Sequence, residues 1–201
     1  TDFAVSAGTV AVGTIDISTG EPHVSPPVLG TTTRVSLGVG GAEISDGDAQ
    51  DPAISADGTV VAFASHASDV VVGDANHTDD VFVHDRATGV TSRVSVASDG
   101  TEADLWSLDP ALSADGRFVA FWSGASNLVA GDTNGSFDVF VHDRSTGVTS
   151  RASVASGGAQ ADGYSARPAI SADGRFVTFD SGAPNLVAGD TNSVADIFVR
   201  D

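Results

Sequence analysis

The chain repeats itself. Ser55-Ala56-Asp57-Gly58 returns as Ser113-Ala114-Asp115-Gly116 and again as Ser171-Ala172-Asp173-Gly174, a step of 58 residues each time. Asp74, Asp132 and Asp190 keep the same step, as do Phe82, Phe140 and Phe198. Arg93 and Arg151 are also 58 apart, whereas Arg34 to Arg93 is 59 because the link before Pro52 carries one more residue. Self-similarity at a fixed period means that each copy is one supersecondary unit whose apolar faces are buried only by its neighbours.

Within a copy, Pro-Ala-Ile/Leu-Ser reads as a short extended run that stops at Ala-Asp-Gly, where Gly supplies the positive φ of a tight reversal. An apolar run follows, Val60–Ala64, Phe118–Trp122 or Phe176–Phe179. A polar loop then ends in a third run, Asp80–Asp85, Asp138–Asp143 or Asp196–Asp201. Thr88-Gly89 and Thr146-Gly147 turn the chain into a fourth run, Thr91–Val96 and Thr149–Val154. Branched and aromatic residues between turn signals predict four short strands per copy, and no segment sustains a helical period. Val81-Phe82-Val83 and Phe118-Val119-Ala120-Phe121 are apolar at successive positions, which buries both faces of a strand. Four-stranded antiparallel sheets stacked face to face around an axis make an all-β propeller, with four to eight blades in most rings. A solenoid is the alternative, but solenoid repeats are shorter.

The stretch Pro110-Ala-Leu-Ser-Ala-Asp-Gly-Arg-Phe-Val-Ala-Phe121, followed by Asp138-Val-Phe-Val-His-Asp-Arg-Ser-Thr-Gly147, resembles the TolB-like, PD40-type (WD40-like) propeller repeats of bacteria. Those repeats carry a Ser-Pro-Asp-Gly turn where this chain has Ala. The likeness covers about residues 31 to 201. It implies the propeller fold and leaves function open, because that family serves as scaffold, binding platform and enzyme accessory alike. The Ser-x-Asp-x-Gly box of sialidases is not met, since Gly follows Asp directly.

Three copies fit, at about 51–96, 110–154 and 168–201. A fourth-type strand, Thr31–Leu37, precedes them, and the last copy stops after its third strand. The expectation is a ring completed either by a second copy, giving a homodimer of six blades in which each chain lends Thr31–Leu37 to the other, or by further residues of a longer propeller. Residues 1–30 read as an N-terminal arm or a degenerate partial blade. In the second reading, Ile15-Asp16-Ile17-Ser18-Thr19-Gly20 echoes His84–Gly89 and precedes an insertion, Glu21–Gly30, with three Pro.

The loop before the third strand carries the chemistry. It reads Asp74, Asn76, Thr78, Asp80; then Asp132, Asn134, Ser136, Asp138; then Asp190, Asn192, Val194, Asp196. Hard cations such as Ca2+ take six to eight oxygens from carboxylates, amides, backbone carbonyls and water. Asp at i, Asn at i+2 and Asp at i+6 on a curled loop offer such a set, with the i+4 residue contributing its backbone carbonyl where it is Val194. The expectation is about three calcium sites, one per repeat. Magnesium prefers fewer protein ligands, and zinc prefers Cys or paired His. The competing explanation is a metal-free turn held by side-chain to backbone bonds, which a repeat would copy just as faithfully.

Other repeated residues read as structural. Asp57, Asp115 and Asp173 form turns, and Asp85, Asp143 and Asp201 bond the Thr-Gly turn. His84, His142 and Arg200 mark a polar position on the blade surface. Arg34, Arg93 and Arg151 pair with acids of a neighbouring strand, worth little where exposed. His23, His66 and His77 have no evident partner in the sequence. Trp106, Trp122 and Tyr164 are the only Trp and Tyr. Trp106 and Tyr164, near Glu102, Asp104 and Asp162 in the links before Pro110 and Pro168, are candidates for a ligand platform at the propeller mouth, against rim packing as the alternative.

Composition narrows the partners. The formal charge is -18, and all nine cationic residues are Arg. Nucleic acid and anionic membranes need clustered basic residues, so neither is expected as a partner. No apolar run approaches the roughly 20 residues of a membrane span, so no membrane insertion is expected. The absence of Cys removes disulfides, thiolate metal sites and a Cys nucleophile. These features point to a calcium-binding, secreted, periplasmic or cell-surface propeller acting as a scaffold that takes a glycan or protein ligand. A lectin-like propeller, or a hydrolase with carboxylates at the mouth, is the alternative; an enzyme is the weaker reading, because no asymmetric acid–base pair stands out.

Overall fold

The structure is a computed structural model that describes the backbone of Thr14–Ile15 and Pro22–His23 together with residues 30–192 and 194–201. The chain divides into two units after Arg34. In the first, β1 (Thr14–Ile15) pairs antiparallel with β2 (Pro22–His23). The rest of the echo at Ile15–Gly20 and of the insertion up to Leu29 lies outside the described residues.

The second unit holds three sheets. The first contains β3 (Ala49–Ile54), β4 (Val60–Ser65), β5 (Asp80–Asp85) and β6 (Val90–Arg93). The second contains β7 (Ser107–Leu112), β8 (Phe118–Ser123), β9 (Asp138–Asp143) and β10 (Val148–Arg151). The third contains β11 (Ser165–Ile170), β12 (Val177–Ser181) and β13 (Asp196–Arg200). Every neighbouring pair is antiparallel and in chain order, giving two four-stranded blades and one three-stranded blade of a β-propeller. Among the described residues the one helical turn is the 3-10 segment Val39–Gly41.

The Ser-Ala-Asp-Gly reversals show why those residues recur. Asp57 Oδ1 accepts the Ser55 hydroxyl at 2.7 Å and the Thr59 amide at 3.0 Å, and Ser55 Oγ accepts the Val60 amide at 3.0 Å. Asp115 with Ser113 and Asp173 with Ser171 repeat these bonds. The Thr-Gly turns work the same way: Asp85 Oδ1 accepts the amides of Ala87 and Thr88.

The innermost strands begin before Pro52, Pro110 and Pro168, which the sequence places at their start. Each contains a bulge, with register shifting between Gln50 and Ala53, Leu108 and Ala111, and Ala166 and Ala169. A proline has no amide for the ladder, so a strand tolerates it at such an irregularity. The residue before each proline takes positive φ: Asp51 at 51°, Asp109 at 49° and Arg167 at 52°.

Blades stack by burying both faces of their middle strands, and β4 is buried at every position. Val60, Ala62, Val81, Val83, Val119 and Phe121 form the core between the first and second blades, and Ala120, Val139, Val177 and Phe179 that between the second and third. Each large apolar side chain buried in this way contributes about 1.5–3 kcal/mol. Backbone bonds stitch the junctions as well: Ala56 N donates to Ala114 O and Ala114 N to Ala172 O, both at 2.9 Å.

Two expectations differ from the structure. Thr31–Ser36 carries no strand, and only Leu37 makes a bridge, to Glu43. A strand exists only when bonded to a neighbour, and no neighbouring strand among the described residues pairs with this segment. His84 and His142 are buried rather than on the blade surface; each ring Nδ1 lies 2.9 Å from a threonine hydroxyl, Thr91 or Thr149, on the next strand.

Candidate functional site

The Asp-x-Asn loops lie where β5, β9 and β13 begin. In the first blade, Asn76 Oδ1 accepts the Thr78 amide at 3.0 Å, closing an Asx turn. Its amide group then donates to Asp80 Oδ2 at 3.0 Å and to Ala103 O at 2.9 Å, in the link to the next blade. Asn76 therefore turns donors toward the carboxylate and uses its own oxygen locally. Asn134 repeats all three bonds with Ser136, Asp138 and Ala161. Asn192 repeats two of them, with Val194 and Asp196.

The carboxylates are buried and share a cation that the loop itself does not contain. Asp80 is fully buried, and its Oδ1 accepts the Ser95 hydroxyl at 2.5 Å. The Arg93 guanidinium lies between the loop acids, 3.5 Å from Asp74 and 3.5 Å from Asp80, and is hydrogen-bonded to Glu102. Its side chain is 8% exposed and rests over the Phe82 ring, 6.0 Å from the centroid. Arg151 does the same in the second blade, 3.4 Å from Asp132, 3.2 Å from Asp138 and 6.0 Å from the Phe140 centroid, and donates to Gln160 at 2.7 Å. Arg93 and Arg151 thus pair with acids of the neighbouring strand as the sequence reading expects, and they do so buried.

Burial pushes the Asp80 carboxyl up to about 6, against the pull of Ser95 and Arg93. Burial also raises Asp74, Asp132 and Asp138 above the ordinary carboxylate value. Concentrated, desolvated negative charge is unfavourable unless a cation answers it.

The three loops differ in how completely that is done. In the first blade, carboxylate oxygens of Asp74, Asp80 and Glu102 lie within 4.8 Å of one another. There, Asp74 Oδ1 and Thr78 Oγ1 are buried without a hydrogen-bond partner. In the second blade Gln160 stands where the first has Glu102, and its amide also bonds Thr133 at 2.8 Å. In the third, Asp190, Asn192 and Asp196 line an open hollow, and no arginine among the described residues pairs with them.

Trp106 and Tyr164, the candidates for a ligand platform, are 58 apart and occupy one structural position. Each carbonyl accepts a serine hydroxyl, Ser123 or Ser181. Both rings are exposed along one side. Trp106 packs on Phe137, centroids 5.6 Å apart, and Tyr164 lies over Gly182.

Sequence reasoning missed a second constellation. Asp51, Asp109 and Arg167, each followed by Pro, line a shallow hollow of about 360 Å³. Trp122 Nε1 donates to Asp109 Oδ2 at 2.7 Å, and Arg167 lies 3.7 Å from Asp180. Burial, then the charge of Asp109, raises Asp51. The signal was the residue before each repeated proline.

No family model and no curated protein matches the chain. Solved structures do. A TolB from Agrobacterium tumefaciens superposes with a TM-score of 0.50 at 15% identity, over 95% of this chain and 56% of that one. A TolB from Acinetobacter baumannii gives 0.42 at 19% identity, over 94% and 38%, and the tricorn protease gives 0.46 at 17%, over 93% and 15%. The chain spans little more than half the length of the Agrobacterium protein. At this identity the first likeness shows the fold, a TolB-like propeller.

Proposed function

We propose that the chain is a scaffold and binding module of the propeller class, working outside the cytoplasm and stabilised by calcium at the first blade. The carrying observation is Asp74 Oδ1, buried and unpartnered beside Asp80 and Glu102. Three carboxylates against the single Arg93 leave two negative charges, which one divalent cation answers. Asp74, Thr78, Asp80 and Glu102 supply hard oxygens, the ligand type calcium takes, with water completing the shell. The second blade supports such a site less well, because Gln160 removes one charge and no buried oxygen there lacks a partner among the described residues. An extracytoplasmic location suits a site of few carboxylates, since extracellular calcium modules work at the weak end of the affinity range.

The test is calorimetric. Melting with EDTA and then with millimolar CaCl2 is expected to raise the midpoint, because a ligand bound only by the folded state stabilises it. Asp74→Asn is expected to abolish the increment and Asp132→Asn to keep it. A midpoint indifferent to calcium ends the reading.

A glycan or protein platform at Trp106 and Tyr164 is the second reading, favoured by their shared position and half-exposed rings. Glycan-array binding that disappears in Tyr164→Ala, with the fold retained, would support it.

A further inference from the structure

We propose that the first-blade cation regulates the arm that presents Leu105 and Trp106: this arm is held against the blade when calcium is bound, whereas the matching arm around Tyr164 is held without it. The inference rests on the calcium reading and adds what the ion controls.

The Asp74–Asp80 loop touches the link to the second blade on both sides of that arm. Ala75 N donates to Glu102 Oε2 at 3.3 Å, and Asn76 Nδ2 to Ala103 O at 2.9 Å. Beyond the arm, Ser107 N donates to Asp79 O at 2.8 Å, next to Asp80. Leu105 and Trp106 lie between these contacts, each 46% exposed. The second blade holds the arm from the other side, Asn127 Oδ1 accepting the Asp104 amide at 3.1 Å and Trp106 O the Ser123 hydroxyl at 2.9 Å. The cation loop therefore grips both ends of a short segment whose middle faces solvent.

The charges stand on both sides of the grip. Asp74 and Asp80 belong to the loop and Glu102 to the link, and among the described residues Arg93 is the one cation paired with them. The Asp74 side chain is 2% exposed, and its Oδ1 and Thr78 Oγ1 lack a hydrogen-bond partner among the described residues. The charge left unanswered therefore pushes loop and link apart. A divalent ion drawing oxygens from both binds the closed arrangement with three carboxylates and an opened one with two. That difference in affinity is what shifts an equilibrium between two arrangements.

The second blade keeps the framework and drops the charge. Thr133 N donates to Gln160 Oε1 at 3.3 Å, Asn134 Nδ2 to Ala161 O at 2.9 Å, and Ser165 N to Phe137 O at 2.7 Å. Gln160 Nε2 also donates to Thr133 Oγ1 at 2.8 Å. The first blade cannot form that bond, because Glu102 has no amide to donate and Ala75 stands where Thr133 does. Neutral hydrogen bonds thus close the Tyr164 arm, and the Trp106 arm is left to the ion. A ligand that grips Trp106 acquires calcium dependence by this route, and one that grips Tyr164 does not.

Amide hydrogen exchange on the 201-residue chain, in EDTA and in millimolar CaCl2, tests the coupling, and the melting midpoint reports calcium binding separately. Calcium is expected to slow exchange at Ser107 about 10-fold more than at Ser165. Glu102→Gln, which copies the second blade, is expected to protect Ser107 in EDTA and to remove the differential response. A midpoint increment that Asp74→Asn abolishes, accompanied by equal effects at Ser107 and Ser165, overturns this proposal and leaves the calcium reading standing. So does a full response at Ser107 in Glu102→Gln. A midpoint indifferent to calcium overturns both.

Discussion

Arg151 reaches Asp138 across the second blade with its Nη1 3.2 Å from Oδ2, and neither side chain has appreciable contact with solvent. The pair joins the last strand of a blade to the first residue of its third strand. Phe140 supports the guanidinium from below, and the link to the next blade supplies Gln160. Removing one member of such a set leaves buried charge unanswered.

Arg151→Ala is therefore expected to cost about 3–5 kcal/mol in urea unfolding. Arg151→Lys is expected to recover only part of this, since an ammonium cannot fork between Asp132 and Asp138. Equal stability of Arg151→Ala and wild type would show that the acids are neutralised some other way.

The Ser-Ala-Asp-Gly turns set an acid limit. The Thr59 amide, then the hydroxyls of Ser55 and Thr59, hold Asp57 down to about 2 from 3.8. Asp115 and Asp173 are lowered first by the Ser113 and Ser171 hydroxyls. A carboxyl depressed in the folded state stabilises it above the unfolded value, and that contribution disappears as pH falls through the folded value. The urea midpoint is expected to drop between about pH 4 and about pH 2. Replacing Asp57, Asp115 and Asp173 together by Asn is expected to flatten that window while lowering the midpoint at neutral pH. An acid transition of unchanged depth in the triple variant would refute the assignment.

The blades, their turns and the stacking of middle strands are legible in the repeat, because Asp-Gly reversals and apolar runs act locally. That Arg93 and Arg151 pair with acids of a neighbouring strand is legible as well; the particular acids and their burial are not. Arg93 and Arg151 lie in a fourth strand, more than a dozen residues beyond the acids they meet, and only sheet order brings them together. The 58-residue step from Trp106 to Tyr164 is visible in the numbering, but differing side chains hide it when residues are compared by identity. Asp51, Asp109 and Arg167 escape notice for the same reason. Proline within an otherwise regular strand was the physical clue to their bulges.

Trp106 tests how far an exposed ring remains structural. Its contact with Phe137 is reinforced by Trp122, edge-on to the same Phe137 ring at 4.9 Å. Trp106→Ala is expected to lower stability by about 1–3 kcal/mol, and Trp106→Phe by less. A wild-type melting midpoint for Trp106→Ala would leave ligand contact as the reason for the residue.

Two glycines separate backbone strain from blade packing. Gly131 and Gly116 both have positive φ, 76° and 68°. A Cβ at Gly131 meets nothing within 4 Å, so Gly131→Ala bears only the left-handed conformation, about 1 kcal/mol. At Gly116 the added carbon would stand 2.8 Å from Val60 Cβ, in the preceding blade. Val60 is anchored at the end of β4 by the Ser55 hydroxyl bond to its amide, so it cannot retreat without opening the neighbouring turn. Gly116→Ala is therefore expected to cost about 2–4 kcal/mol, the conformational term plus overpacking. Adding Val60→Ala should recover the overpacking part while leaving the conformational part, since the pair are in contact and do not act independently. Strict additivity of Gly116→Ala and Val60→Ala in urea unfolding would mean that the blades do not approach as closely at this turn as the packing of Gly116 on Val60 requires.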